Sequence, residues 1–387
     1  MKANPRVSAI PLSETIALDT RAKELIAAGR DVLNLSAGEP DFDAPQVVRD
    51  AARAAVDGGQ VRYTPAPGRK NLREAIAKHL TGTRGVPYRA EEVIVCHSAK
   101  HALSGSFLGL IHPGDEVLLS LPAWVSYVEQ IKFAGGVPVG AAPREDLGPA
   151  WDALEAAVTP RTKGIVWNSP SNPSGYVATH EETQRLVDFA EAHDLWILSD
   201  EIYRRLTYGG ARAVSPVEFG DAARARTVIV DGASKAYAMT GYRIGFLAAP
   251  AEFAGAIGRL HSQLTGSPNA ISQDAYLAAL VEEPTEVAGR VIEFERRRNA
   301  IVSGLRGLGL EVPEPGGAFY VFARVTPYLD ERKSAGFCED LLETEGLAIV
   351  PGSAFGTPDY VRFSYAASLE TLQDAVDRMG RFLAKRR

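Results

Sequence analysis

The run TVIVDGASKAYAMTGYRIGF, Thr227 to Phe246, opens as an apolar strand, breaks at a turn of small residues, and delivers Lys235 and then Arg243. Two earlier stretches share this form. GIVWNSPSNPSG (Gly164 to Gly175) and LWILSDEIY (Leu195 to Tyr203) each begin as a short apolar run and break into Asn, Asp or Ser. Short apolar runs bounded by turn residues read as buried strands. In an open parallel sheet, the residues just past the carboxyl ends of the strands line the ligand crevice. That rule gathers Asn172, Asp200, Tyr203, Ser234, Lys235 and Arg243.

Outward from these three runs the same texture continues. Between Glu92 and Asp231, EVIVC leads into a helix near Ser98 to Ile111, DEVLLS leads into a loop at LPAW, VSYVEQIKFAGG is helical and VPVGA is a strand. THEETQRLVDFAEAHD is a helix with Thr179 as N-cap and an acidic first turn. Such alternation predicts an α/β fold with a mainly parallel sheet covered on both faces. Nearer the amino terminus stand a helix over Thr15 to Ala28, a strand and turn in DVLNLSAGEPDF, and helices in VRDAARAAVDGG and LREAIAKHL joined by RYTPAPG. After the lysine run, AEFAGAIGRLHSQL and one long helical stretch from Asp274 to Leu305 lead to a Pro/Gly break and the strands of EVPEPGGAFYVFARV and DYVRFSYA. The division predicted is a large domain over 45–285 and a smaller α+β domain over 286–387, against which 1–44 packs.

Composition sets bounds on partners. The chain has 387 residues, 45% of them apolar, and a formal net charge of -6 without long charge blocks. A core of ordinary size follows, and a nucleic-acid or anionic-membrane surface as main partner is disfavoured. Cys96 and Cys338 stand far apart, lack metal-ligand spacing and build no disulfide framework. No metal is expected. The first residues hold no signal-type apolar core, and no run of apolar residues is long enough to span a bilayer, so a soluble cytoplasmic protein is predicted.

The chemistry rests on Lys235. A lysine is normally a solvated cation, but one at a strand mouth beside other cations loses its proton more easily and can attack an aldehyde carbon. Ser234 and Arg243 offer the hydroxyl and guanidinium that a phosphate ester needs. Asp200 either caps a turn or faces the ring nitrogen of pyridoxal 5'-phosphate and keeps it protonated, making the ring an electron sink. Tyr203 and Asn172 are placed to donate to the ring's phenolic oxygen. Ser98, Ala99 and Lys100 lie at a strand-to-helix junction whose free N–H groups suit a phosphate, although a bare Ser N-cap is the commoner use. Trp124 is either core or a stacking surface for the ring. Arg362 alternates with Val361 and Phe363; it is either a surface residue or a fork for an α-carboxylate. A cis bond before Pro170 or Pro173 suits the tight turn there.

With these residues in view, the chain resembles the class I/II aminotransferases of pyridoxal-phosphate fold type I, nearest the bacterial aspartate aminotransferase-like subgroup. The motifs are LSAGEPDFDAP (35–45), RYTPAPG (62–68), SAKHAL (98–103), NSPSNPSG (168–175), SDEIY (199–203), GASKAYAMTGYRIG (232–245), GGAFY (316–320) and VRFSYA (361–366). Each is weak alone; their order and spacing together are specific. The resemblance implies a large domain with a mainly parallel seven-stranded sheet and a small α+β domain. It implies Lys235 as Schiff-base lysine and proton shuttle, and Asp200 as partner of the pyridinium. Tyr203 and Asn172 would bond the phenolic oxygen, Trp124 would stack on the ring, and Ser98, Ala99, Ser234 and Arg243 would surround the phosphate. Tyr63 would reach that phosphate from a neighbouring subunit, implying a homodimer with shared sites. Arg362, with the Gly38 backbone and Asn172, would hold the substrate α-carboxylate, and the histidines match no catalytic position.

The implied reaction is ping-pong transfer of an amino group between an L-amino acid and a 2-oxo acid, with a β-lyase on the same machinery as alternative and a cofactor-sensing regulator as a remoter one. Lys100, Ser13 and Thr15 match positions near the distal carboxylate of acidic substrates, which favours aspartate and glutamate. Ala123, where relatives often carry an aromatic residue, opens room for an aromatic or prephenate-like side chain instead. Ser104 and Gly105 also depart from the family pattern, and Gly232 stands where many relatives have a phosphate-binding Ser.

Overall fold

The computed structural model describes residues 2, 4–8, 10 and 14–386; Ser13 and the side chain of Thr15 lie outside the described residues. In chain order the strands are β1 (Leu33–Asn34), β2 (Val93–Cys96), β3 (Glu116–Ser120), β4 (Val137–Ala141), β5 (Thr162–Asn168), β6 (Trp196–Asp200), β7 (Thr227–Gly232), β8 (Gly245–Ala248), β9 (Tyr320–Arg324), β10 (Leu347–Ala348), β11 (Val350–Pro351) and β12 (Tyr360–Ser364). Seven of them form one sheet in the order β2-β8-β7-β6-β5-β3-β4. The pairs β3/β4, β3/β5, β5/β6 and β6/β7 are parallel, while β8 runs antiparallel to both its neighbours. The central strands are apolar and buried on both faces because helices cover both sides, so they read as continuous apolar runs rather than as alternation.

Two smaller sheets lie outside this one. β1 pairs in parallel with β10, through Leu33 with Leu347, and β11-β12-β9 form an antiparallel sheet. The amino-terminal segment is thereby stitched to the carboxy-terminal part: Leu35 N–H donates to Ala348 O at 2.9 Å, and Ser364 N–H to Leu35 O at 2.8 Å. No helix among the described residues is long and apolar enough to cross a membrane.

Local chemistry sets the helix boundaries. Thr179 caps His180–Ala192 as its sequence predicts, in a capping box with Glu182. The stretch expected as one helix from Asp274 to Leu305 is instead two, Ala270–Glu282 and Glu286–Gly307. Pro284 explains the break: it has no N–H to donate and bars the preceding residue from helical backbone, and Glu283 sits at φ 43°. Both bonds before Pro170 and Pro173 are cis, not one of them, and the bond before Pro122 is cis as well.

Candidate active site

The carboxyl ends of β2, β3, β5, β6 and β7 open onto one cavity of about 510 Å³. Ser98, Ala99 and Lys100 enter it from the start of the helix Ala99–Leu110, Trp124 from the turn after β3, and Asn172 from the loop after β5. Asp200 and Tyr203 line it at the end of β6, Ser234, Lys235 and Arg243 after β7, Gly38 from the amino-terminal segment and Arg362 from β12. Tyr63 is not among the lining residues; its side chain stands on the surface, 99% exposed.

The phosphate-like end is built on an unusual backbone. Ser98 occupies the N-cap position yet caps nothing: at φ 86° and ψ 163° it lies in a region nearly closed to residues with a side chain. Of the two uses the sequence leaves open for Ser98, the side-chain N-cap is not made. Holding a non-glycine residue there costs roughly 1–3 kcal/mol, a strain typical of ligand clamps. The adjoining strand presses from beneath. A Cβ on Gly245 would stand 2.5 Å from Ala99 N and 2.7 Å from Ser98 C. A Cβ on Gly232 would meet Gly245 Cα at 2.7 Å, so a serine at that position is excluded by the approach of β8.

Charge is distributed with a clear bias. Lys100, Lys235, Arg243 and Arg362 all line the cavity, and among the described residues none of them is within ion-pair distance of a carboxylate. Arg362 is 4% exposed. It donates to Asn172 Oδ1 at 2.9 Å and Ser36 O at 2.7 Å, lies 4.4 Å from the Tyr320 ring centroid, and has a buried Nε with no hydrogen-bond partner. A buried guanidinium without a counter-ion is costly unless an anion joins it. Lys235 Nζ donates to Gly38 O. Burial pushes its ammonium down to about 8, against the pull of Glu39 and with Arg362 and Arg243 adding to the fall. Burial, then Arg243, likewise lowers Lys100, whose Nζ sits 4.9 Å from the centre of the Trp124 ring.

Asp200 is 3% exposed. Tyr127 donates to its Oδ2 at 2.6 Å and the Ile202 N–H to its Oδ1 at 3.2 Å. Burial still raises its carboxyl to about 6, the two donors working the other way. Asn168 holds the same strand end, donating to Asp200 O at 2.9 Å and accepting from Asn172 N–H at 2.9 Å. Tyr203 shares a 2.9 Å hydroxyl contact with Tyr320.

Tyr127, Asn168, Tyr320, Glu39, Asp19 and Lys23 also line the cavity, and the sequence reading does not single them out. Tyr320 was visible as the last residue of GGAFY; nothing in the sequence marks Tyr127, which follows Trp124 by one helical turn. Ala123 is not among the residues lining the large cavity; it lines an adjoining space of about 40 Å³ with Pro122 and Trp167, and the two share Tyr127, Asn168 and Asn172. Gly105 is a packing residue, since a Cβ there would meet His261 Nε2 at 2.7 Å. His261 gathers with Cys96 of β2 and with His101 of the same helix as Gly105. The two imidazoles stack at 4.3 Å with planes 21° apart, so one ion cannot lie in both ring planes as a metal ligand requires.

The donor set therefore fits a phosphorylated aldehyde: a strained, open helix start with Arg243 for the phosphate, a lysine of lowered basicity for the carbonyl, and a buried carboxylate for a ring nitrogen. Comparison with known proteins agrees. Over 396 aligned residues the chain is 45% identical to an aspartate aminotransferase of Geobacillus stearothermophilus, spanning 100% of both. It is 42% identical to an aspartate/prephenate aminotransferase of Thermus thermophilus, covering 98% of each. The solved aspartate aminotransferase of Thermus thermophilus with maleate superposes with a TM-score of 0.93 at 40% identity, over 99% of this chain and 100% of that one. Residues 30–379 match the family described as aminotransferase class I and II, and the chain belongs to that family of pyridoxal 5'-phosphate-dependent transaminases.

Proposed function

We propose that the chain is an aspartate aminotransferase, exchanging the amino group of L-aspartate or L-glutamate with a 2-oxo acid at this cavity. The observation that carries the reading is the set of cavity cations without carboxylate partners, Arg362 at one wall and Lys100 with Arg243 at another. A dicarboxylate and a phosphate together supply the anions those groups lack. The maleate held by the Thermus enzyme is itself a dicarboxylate.

When bound, the cofactor supplies an electron sink that makes the Cα–H of an amino acid acidic. Asp200 would keep its ring nitrogen protonated, with Tyr127 holding the carboxylate in place. Ser98, Ala99, Ser234 and Arg243 would hold the phosphate, Trp124 would stack on the ring, and Tyr203 and Asn172 would bond its phenolic oxygen. Lys235, with its basicity lowered toward neutrality, would take the proton from Cα and deliver it to C4′ of the cofactor, two bonds away. Arg362 grips the α-carboxylate with help from Asn172 and the Gly38 backbone, which orients the Cα–H bond. Lys100 reads the distal carboxylate.

The exposure of Tyr63 supports a homodimer in which it completes the phosphate site of the second copy. The division into 45–285 and the paired 1–44 and 286–387 is supported by the sheets, since every strand from β2 to β8 lies between Val93 and Ala248 and the smaller sheets draw on β1 and β9 to β12. A cytoplasmic site of action suits two buried, reduced cysteines, Cys96 and Cys338.

The test is the visible spectrum of the cofactor-loaded protein during addition of L-aspartate, L-glutamate and aromatic amino acids in turn. Conversion of the absorption by L-aspartate, reversed by 2-oxoglutarate, is expected. Pyruvate released without a 2-oxo acceptor would instead indicate a lyase, and conversion by aromatic donors alone would overturn the substrate.

A further inference from the structure

Arg84 closes the helix Lys70–Arg84, and its side chain is 1% exposed. Its Nε and Nη2 donate to Glu201 Oε2 at 3.0 and 2.6 Å, and Nη2 also reaches Asp231 Oδ2 at 3.1 Å. Both acceptors stand beside groups of the cavity. Glu201 directly follows Asp200, and Asp231 opens the turn that ends in Lys235. The backbone ladder between β6 and β7 stops at Asp200 with Val230, followed by one N–H from Glu201 to Val230 O at 2.8 Å. Beyond that point β7 pairs with β8, through Asp231 with Phe246 and Gly232 with Gly245. The guanidinium bridges the two segments where main-chain pairing between them has ended.

We propose that Arg84 is a positioning residue for the reaction: it fixes the spacing of Asp200 and Lys235 and neutralises the two carboxylates behind Asp200. The proposal rests on the transaminase reading of the cavity. Its electrostatic half follows from what faces the knot on each side. Burial favours the neutral form of Asp200, the Tyr127 hydroxyl and Ile202 N–H oppose it, and Asp231 and Glu201 add like charges, while Lys235 faces it as a cation. Glu201 is held ionised by Arg84 and Arg204, with the Ser215 hydroxyl and the Ser199 hydroxyl on its other oxygen. Asp231 faces Arg84 and accepts the Gly232 N–H at 2.7 Å, and the phenols of Tyr237 and Tyr276 see its charge. His79 stands on the cationic side, disfavoured in its charged form by burial and by Arg84, Arg205 and Arg204. Without Arg84, Glu201 would lose the cation that does most to hold it ionised, and Asp231, which burial already raises to about 6, would rise further.

The experiment compares full-length wild type with Arg84→Met, Arg84→Lys and Glu201→Gln. In cofactor-free protein carrying ¹³Cγ-labelled aspartate, the Asp200 resonance, assigned with Asp200→Asn, is titrated; in loaded protein, kcat and KM for L-aspartate are measured. Arg84→Met is expected to raise the Asp200 midpoint by about one pH unit or more, and Glu201→Gln to lower it. Arg84→Lys keeps the charge but loses the fork, so its midpoint stays near wild type while kcat falls about tenfold with little change in KM. An Asp200 midpoint unmoved in either Arg84→Met or Glu201→Gln overturns the electrostatic role, and unchanged kcat in Arg84→Lys overturns the positioning role. Should Arg84→Met fail to fold, Glu201→Gln and Arg84→Lys still decide both points. Failure of the transaminase reading is separate: it shows as wild type that does not convert amino acids, while the carboxylate titration remains readable.

Discussion

Tyr127 and Asp200 are joined by a 2.6 Å hydrogen bond with both side chains almost wholly withdrawn from solvent, at 2% and 3% exposure. The phenol cannot ionise there, because burial, then the adjoining Asp200 charge, drive its proton loss far above the ordinary range. It is therefore a fixed donor, and it favours the ionised form of a carboxylate that burial would otherwise keep neutral. Tyr127→Phe removes the donor without opening a large void. A hydrogen bond to a charged group contributes about 1.5–3 kcal/mol, so the dissociation constant for pyridoxal 5'-phosphate should rise roughly tenfold or more. Quenching of tryptophan fluorescence on titration with the cofactor measures it, and unchanged affinity would remove Tyr127 from the cofactor-holding set.

Lys235→Ala should abolish amino-group transfer, by about 10³-fold or more, while leaving the protein folded. Borohydride reduction of loaded wild type should fix the cofactor on the peptide containing Lys235, and dialysis should strip it from the variant. Covalent label on another lysine in wild type contradicts the assignment.

Asp200 makes stability depend on pH in a definite direction. Its folded value of about 6 lies above the 3.8 of an unperturbed aspartate, so the folded state holds more protons between those limits. The contribution is fully favourable below about 3.8 and is lost as pH rises through 6, where ionisation must occur in a buried site. Asp200→Asn stays neutral throughout. The cofactor-free variant should be more stable than wild type at pH 7 to 8, by on the order of 3 kcal/mol, and the gain should vanish toward pH 4. Denaturant unfolding across that range checks it; a gain that grows on acidification has the wrong sign.

Arg362→Leu should weaken amino-acid binding far more than cofactor binding. Two parallel charged hydrogen bonds to a carboxylate are lost, which raises KM for L-aspartate by about 10²-fold or more. Steady-state kinetics at saturating cofactor give the split. A variant with unchanged KM would move the α-carboxylate elsewhere.

Gly245→Ala tests the seat beneath the phosphate end. The added methyl would meet backbone of Ser98 and Ala99, which has no rotamer to give way. Overpacking of this kind costs about 1–3 kcal/mol, so affinity for pyridoxal 5'-phosphate should fall roughly tenfold to a hundredfold with the sheet intact. Equal affinity in the variant would show that the helix start is free to shift.

How far the sequence reaches can be judged from particular residues. Each of Asn172, Asp200 and Lys235 sits where an apolar run stops, and stopping is a local property: a strand ends where small and polar residues make continued burial costly and turns cheap. Because parallel strands must all return to the same edge, residues that end successive strands meet in one cavity, and so the α/β class and the gathering of these three residues were legible along the chain. Pro284 was equally legible and simply outweighed by the helical pattern around it.

The rest was decided by packing between distant segments. Arg362 alternates like any half-exposed strand residue, yet it is buried because Asn172, from the loop after β5, and the Ser36 carbonyl close over it. Tyr127 meets Asp200 only because the helix Val125–Ala134 lies against the carboxyl end of β6, and Arg84 reaches Glu201 and Asp231 only because a helix from the first quarter of the chain ends beside two later strands. Period and turn chemistry act over a few residues, whereas the partner of a buried charge is whichever group the completed fold brings within hydrogen-bonding distance.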